Sequence, residues 1–224
     1  TGTLGLTRNL SASEIYRQVV YISKKCLEVH NQPLTNIVFM GMGEPLLNYK
    51  NVLRSIHFIT SEEGLNMSYK RITLSTSGIS KMIRKLADDN VKVNLALSLH
   101  AANEELRKKI MPIGKSNTLE EIRDSLKYYF SKTKKKVTYE YVLLRDVNDS
   151  IEDAYQLYKY TKHLSSKVNI IEYNAVEGLE FKKSSFEKTE KFIGYLLKKG
   201  VNVSLRRSRG KDINAACGQL ANKN

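Results

Sequence analysis

The sequence predicts an α/β protein whose parallel strands, joined by helical crossovers, form an open or partial barrel, with a doubly wound sheet as the alternative. Three observations lead there. Six short runs rich in β-branched and aromatic residues alternate with segments of helical periodicity. The gaps between successive runs, about 20 to 40 residues, suit right-handed helical crossovers between parallel strands. The chain of 224 residues with about six strands falls short of the roughly 250 residues of an eightfold barrel. No repeat at a fixed period, low-complexity stretch or linker is visible, so residues 1–224 read as one domain.

The elements follow in order. Ser11 and Glu14 form a Ser-x-x-Glu capping box that opens a helix through about Leu27, with Ile15, Val19, Val20, Ile22 and Cys26 at helical spacing. Strand runs are expected at Ile37–Met40, ending in Gly41; at Arg71–Leu74, ending in Ser75-Thr76-Ser77-Gly78; and at Val91–Leu97, ending in Ser98-Leu99-His100. Three more are expected at Val137–Leu144, Val168–Tyr173 and Val201–Leu205, ending at Arg145, Asn174 and Arg206. Helical patterns fill Asn51–Thr60, Ile79–Ala87, Glu104–Ile110, Thr118–Phe130, Ser150–Leu164 and Ser185–Lys198. Thr118 with Glu121, and Ser150 with Asp153, repeat the N-terminal signature.

Composition narrows the function. At 41% apolar and 27% charged, the chain is globular rather than disordered. No apolar run approaches the ~18 residues of a membrane span, and Thr1-Gly2-Thr3-Leu4-Gly5 is no secretory signal. Two distant cysteines, Cys26 and Cys217, make no disulfide framework and point to a reducing cytoplasm. Thirty-seven Lys and Arg against 23 Asp and Glu give a net charge of +14. That balance favours a polyanion, most commonly nucleic acid, over an acidic small molecule.

In parallel α/β folds, ligands sit at the carboxyl ends of the strands. Those ends here carry Gly43, Glu44, Ser75, Ser98, His100, Asn174 and Arg206. In Met40-Gly41-Met42-Gly43-Glu44-Pro45-Leu46, two glycines permit close backbone approach and Glu44 can accept from an ammonium group. Leu46 stands where a dinucleotide fingerprint needs its third glycine. Gly114-Lys115-Ser116 ends like a phosphate loop, but Lys109 occupies its first glycine position. His30, His57, His100 and His163 show no metal-ligand spacing. Cys217 follows Arg206, Arg207, Arg209 and Lys211 near a short helix start, a setting that favours a thiolate; a buried helical cysteine is the alternative. Those arginines could hold phosphates and stack on bases.

Gly41-Met42-Gly43-Glu44-Pro45-Leu46-Leu47-Asn48, Leu74-Ser75-Thr76-Ser77-Gly78, Ser98-Leu99-His100-Ala101 and Ala215-Ala216-Cys217-Gly218-Gln219-Leu220, in this order, resemble the radical S-adenosylmethionine RNA methyltransferases. The match is to the dual-specificity family that methylates C2 of an adenine in 23S rRNA and in tRNA. The resemblance implies a partial (βα)6-type barrel, here missing its first strand and cluster loop. It implies that Gly43, Glu44, Ser75, Ser98, Leu99, His100 and Asn174 bind S-adenosylmethionine. Cys217 would carry a methyl group as the catalytic thiol, Arg206, Arg207 and Arg209 would bind RNA, and a flavodoxin-like reductant would supply electrons. A [4Fe–4S] cluster would generate the radical that activates the S-methyl group for addition to the adenine ring.

The family's Cys-x-x-x-Cys-x-x-Cys motif is not in this sequence, and no metal ligand is assigned; Thr1-Gly2 resembles the residues just after its last cysteine. Asn174-Ala175-Val176-Glu177-Gly178 stands for the usual Asn-Pro-Phe-Pro-Gly, and Asn214 for a usual Asp. The expectation is a C-terminal portion of such an enzyme, inactive in radical chemistry alone. A non-catalytic RNA-binding relative and an unrelated barrel enzyme acting on an anionic metabolite are the competing readings.

Overall fold

The computed structural model describes residues 7–111, 116–176, 178–207, 210, 216 and 219. Its elements are α1 (Ala12–His30), β1 (Ile37–Phe39), α2 (Tyr49–Thr60), β2 (Ile72–Thr76), α3 (Ser80–Asp88), β3 (Asn94–Ser98) and α4 (Glu104–Ile110), followed by α5 (Leu119–Thr133), β4 (Val137–Leu143), α6 (Ile151–Thr161), β5 (Ser166–Glu172), α7 (Phe186–Lys198) and β6 (Val203–Arg206). The expected capping boxes form at Ser11, Thr118 and Ser150.

The six strands pair in chain order, β1 to β6, and every pairing is parallel. A doubly wound sheet reverses its strand order at a switch point. This sheet does not reverse, so it is the singly wound, barrel-like solution. It also curls: Arg206 Nη1 at the end of β6 lies 3.5 Å from Met40 Sδ just past β1. Long side chains at the tips of the two outermost strands therefore meet.

Alternation sorts the strand side chains onto two faces. Ile72 and Leu74, Leu95 and Leu97, Val137, Tyr139 and Tyr141, and Val168 and Ile170 are buried in one core with Ile56, Ile59, Ile83, Leu86, Ile122, Leu126, Phe192 and Leu196 of the helices. The opposite, inner face carries Ser75, Ser98, Thr138, Glu140, Lys167, Asn169, Ser204 and Arg206, together with the apolar Ala96, Val142 and Ile171. Hydrophobic burial thus fixes the register, and the same register lines the inner face with polar groups.

Two strands begin later than their apolar runs. Asn90 has φ 47° and Gly200 φ 74°. The following Val91 and Val201 donate back to Leu86 and Leu196, closing α3 and α7 in left-handed caps before the strands start. Gly78, at φ +101°, is required twice over: a Cβ there would lie 2.7 Å from Ile122 Cδ1.

Candidate functional site

All strands being parallel, their C-terminal ends share one rim. At the end of β1, Gly41 and Gly43 are exposed, and a Cβ on either would meet nothing within 4 Å. Gly43 has φ +87°, a conformation glycine adopts without strain. Glu44 follows, half-buried. Its Oε1 accepts from Leu46 N at 3.0 Å; its Oε2 accepts from Ser77 N at 2.7 Å and Ser77 Oγ at 2.6 Å. A carboxylate offers about four acceptor sites, so Glu44 ties the end of β1 to that of β2 and keeps capacity for one further donor.

The next ties run round the rim. The buried Arg107 of α4 donates through Nη2 to Ser77 O at 2.5 Å and through Nε to Leu99 O at 3.3 Å, joining the ends of β2 and β3. Between β3 and β4, Val142 N donates to His100 Nδ1 at 3.2 Å. The fully buried Asn148 donates to His100 O at 2.7 Å and to Val142 O at 2.8 Å, while its Oδ1 accepts from Leu144 N at 2.7 Å. These contacts hold His100 at φ +57°. Burial, and next the Arg107 charge, push its pKa down to about 4, so the ring is neutral at pH 7. Leu99 sends its side chain into the core, and its N–H donates to Glu140 O; what it brings to the rim is backbone position.

On the inner face the register sets Ser98 opposite Glu140, Glu140 opposite Asn169, and Asn169 opposite Ser204. Ser204 Oγ donates to Asn169 Oδ1 at 2.9 Å, and Asn169 Nδ2 donates to Glu140 Oε1 at 2.9 Å. Ser75 Oγ lies 3.4 Å from Ser98 Oγ, extending this polar row to β2. Glu140 is buried, and burial raises its pKa. Its Oε2 has no hydrogen-bond partner among the described residues and lies 3.9 Å from Arg206 Nη1. Among the expected RNA contacts, Arg206 is half-exposed and Arg207 exposed.

Asn174 is buried just past β5. Beside it, Gln219 Nε2 donates to Ala175 O at 3.3 Å, and Ala216 N donates to Gln219 Oε1 at 3.3 Å. Ala216 and Gln219 therefore lie beside the end of β5, on the rim that carries Ser75 and Ser98. The expected catalytic Cys217, and Arg209 among the RNA contacts, lie outside the described residues. An open cleft of about 470 Å³ flanks the rim between Arg145–Val147 and Gly178–Lys182, with Phe181 in its wall. Among the described residues no three His, Cys, Asp or Glu side chains are grouped to hold a metal.

Sequence reasoning found the strand tips but missed Arg107, Glu140 and Asn148. Glu140 had a visible signal, a carboxylate inside the apolar run Val137–Leu144. Arg107 had none, standing among the charges of Glu104–Lys109.

Residues 7–158 match the model of the radical SAM superfamily. A protein of Flavobacterium psychrophilum named "probable dual-specificity RNA methyltransferase RlmN" is 55% identical over 223 residues, covering all of this chain and 64% of that protein. One of the same name from Christiangramia forsetii is 52% identical, with 63% of it covered. The crystal structure of a radical SAM methyltransferase from Sphaerobacter thermophilus superposes with a TM-score of 0.96 at 40% identity, covering 99% of this chain and 65% of that one. The chain thus spans under two thirds of the length of these relatives.

Proposed function

Because this chain belongs to the radical SAM superfamily, we propose that it forms the S-adenosylmethionine-binding barrel of an RNA methyltransferase that methylates C2 of an adenine in 23S rRNA and tRNA. The observation that carries this reading is the rim itself. An open glycine turn, a carboxylate with acceptor capacity to spare, and the Ser75 and Ser98 hydroxyls converge at one end of a singly wound sheet.

S-adenosylmethionine fits these donors and acceptors. Bound there, it would supply an electrophilic methyl group and, with a reduced iron–sulfur cluster, radical chemistry. Glu44 accepts from its ammonium group, the missing Cβ atoms at Gly41 and Gly43 leave room for backbone approach, and Ser75, Ser98, Leu99, His100 and Asn174 wall the pocket. Cys217 supplies the thiol that carries a methyl group towards the adenine. Arg206, Arg207 and Arg209 hold the RNA phosphates from the open side. A [4Fe–4S] cluster takes thiolate ligands, and two cysteines do not supply three; its ligands would lie in the part of the longer relatives that this chain does not span. A flavodoxin-like reductant and a cytoplasmic setting complete the proposal; no helix among the described residues is long and apolar enough to cross a membrane.

The test uses the full-length protein with its cluster reconstituted anaerobically. Incubation with S-adenosylmethionine and rRNA or tRNA should yield 2-methyladenosine, read by mass spectrometry of the digested RNA. Cys217→Ala should abolish the product while RNA affinity stays within about twofold. Product formation by Cys217→Ala would overturn the thiol route. An intact, cluster-loaded enzyme that binds RNA but never methylates it would favour the non-catalytic reading.

A further inference from the structure

Arg107 poses a problem that neither the fold nor the proposed chemistry explains. It is 1% exposed, and a buried guanidinium is costly unless paired and fully hydrogen-bonded. No carboxylate within ion-pair distance is found for it among the described residues, and its Nη1 has no hydrogen-bond partner there. Burial accordingly lowers its pKa. Ordinary packing would be better served by an apolar side chain.

What the guanidinium does is bridge two strand-end loops through their backbone carbonyls, Ser77 O on one side and Leu99 O on the other. Ser77 is the residue whose N–H and Oγ both hold Glu44 Oε2. Leu99 lies between Ser98 and His100. A single planar fork thus fixes, at one remove, the carboxylate after β1, the hydroxyl at the end of β3 and the loop between them. Lysine cannot reproduce this, because its ammonium offers one point of contact in place of a rigid fork.

We infer that Arg107 is a positioning residue, which sets the geometry of the Glu44 carboxylate and the Ser98–His100 loop for S-adenosylmethionine without touching it. The inference rests on the proposed function for its ligand, but its mechanical half, the clamping of Ser77, does not. The fork holds the carbonyls of residues 77 and 99, and so fixes the 77–78 peptide next to the residue whose N–H and Oγ hold Glu44. Removing the fork frees the 77–78 peptide, and the slack loosens Ser77, which supplies two of the three donors to the carboxylate.

The experiment pairs two readouts on the full-length, cluster-loaded protein, comparing wild type, Arg107→Lys, Ser77→Ala and the double variant. Hydrogen exchange without ligand should show the Ser77 amide of Arg107→Lys exchanging at least about tenfold faster, while Leu74 and Leu95 amides in the strand cores keep wild-type rates. Calorimetry with S-adenosylmethionine should show each single variant weakened about tenfold and the double variant no weaker than about twofold beyond the worse single one, since the two cut successive links of one Arg107–Ser77–Glu44 path. Unchanged Ser77 exchange in Arg107→Lys overturns the clamp. So does wild-type ligand affinity in Arg107→Lys, or losses that multiply in the double variant. A global rise in exchange, strand cores included, also overturns it, by reducing Arg107 to a folding residue. If wild type itself does not bind S-adenosylmethionine, the proposed function fails, while the exchange arm still decides the clamp.

Discussion

The two halves of the rim are built differently. From β1 to β4, each strand tip is tied to the next by side chains that reach backbone groups: Glu44 to Ser77, Arg107 to Ser77 and Leu99, Asn148 to His100 and Val142. From β5 through β6 and back to β1, the described ties include the Asn169–Ser204 and Gln219–Ala175 hydrogen bonds, a 3.9 Å ion pair from the half-exposed Arg206 to Glu140, and a 3.5 Å contact from the same arginine to a thioether. Burial makes the first set stiff, because each broken tie strands a polar group away from water. The exposure of Arg206 makes the second more adaptable, because water can replace its contact to the thioether. A small cofactor needs fixed acceptors and donors, whereas an RNA loop needs a surface that can yield. The half with the glycine turn and the serines is preorganised; the half with the arginines is not.

The comparison is most directly broken at Asn148. Asn148→Ala removes a fully buried side chain that serves two carbonyls and one N–H, which should cost about 3 kcal/mol. Urea unfolding should show the midpoint falling steeply; a loss under about 1 kcal/mol would mean the stiff half is not stiff. Gly78→Ala should come next, at about 2 kcal/mol, from a positive φ and a Cβ overlapping Ile122.

His100 gives a smaller, pH-dependent effect. Its folded pKa, about 4, lies below its ordinary 6.5. The unfolded chain therefore binds its proton first, and the stability His100 contributes is complete above pH 6.5 and is lost as pH falls towards 4. Unfolding measured from pH 7 to 4.5 should show a steeper loss in wild type than in His100→Asn; parallel curves would contradict the buried neutral ring. Smallest in stability are Arg206→Gln and Arg207→Gln, each expected within about 0.5 kcal/mol of wild type. Their mark should instead be on RNA affinity, whose dependence on log salt should flatten by about one unit per arginine. A large stability loss with an unchanged salt slope would assign them to the stiff half.

The sequence made the stiff half legible only in part. Strands and caps could be read because burial on the helix side leaves a period-two imprint and capping boxes are local. Glu44, Ser75 and Ser98 could be read because they end such runs. Val91 and Val201 were read as strand, since an apolar residue closing a left-handed cap looks the same in sequence as one opening a strand. Arg107 and Asn148 could not be read at all: whether one arginine among five charged residues on a short helix faces water or the strand tips depends on how α4 seats against β2 and β3. His100 was readable as a rim residue, but not its role, because the left-handed backbone and the Val142 partner are tertiary facts.

The meeting of Arg206 with Met40 carries one more consequence. A guanidinium against a thioether is a soft join, since sulfur is a weak acceptor that loses little when water takes its place. The circumference of the mouth can therefore widen at that point by swinging one side chain, without stretching any β-ladder. Such a yielding join would suit the proposed RNA substrates, whose folded elbows differ in curvature, while the tied part of the perimeter keeps a constant shape.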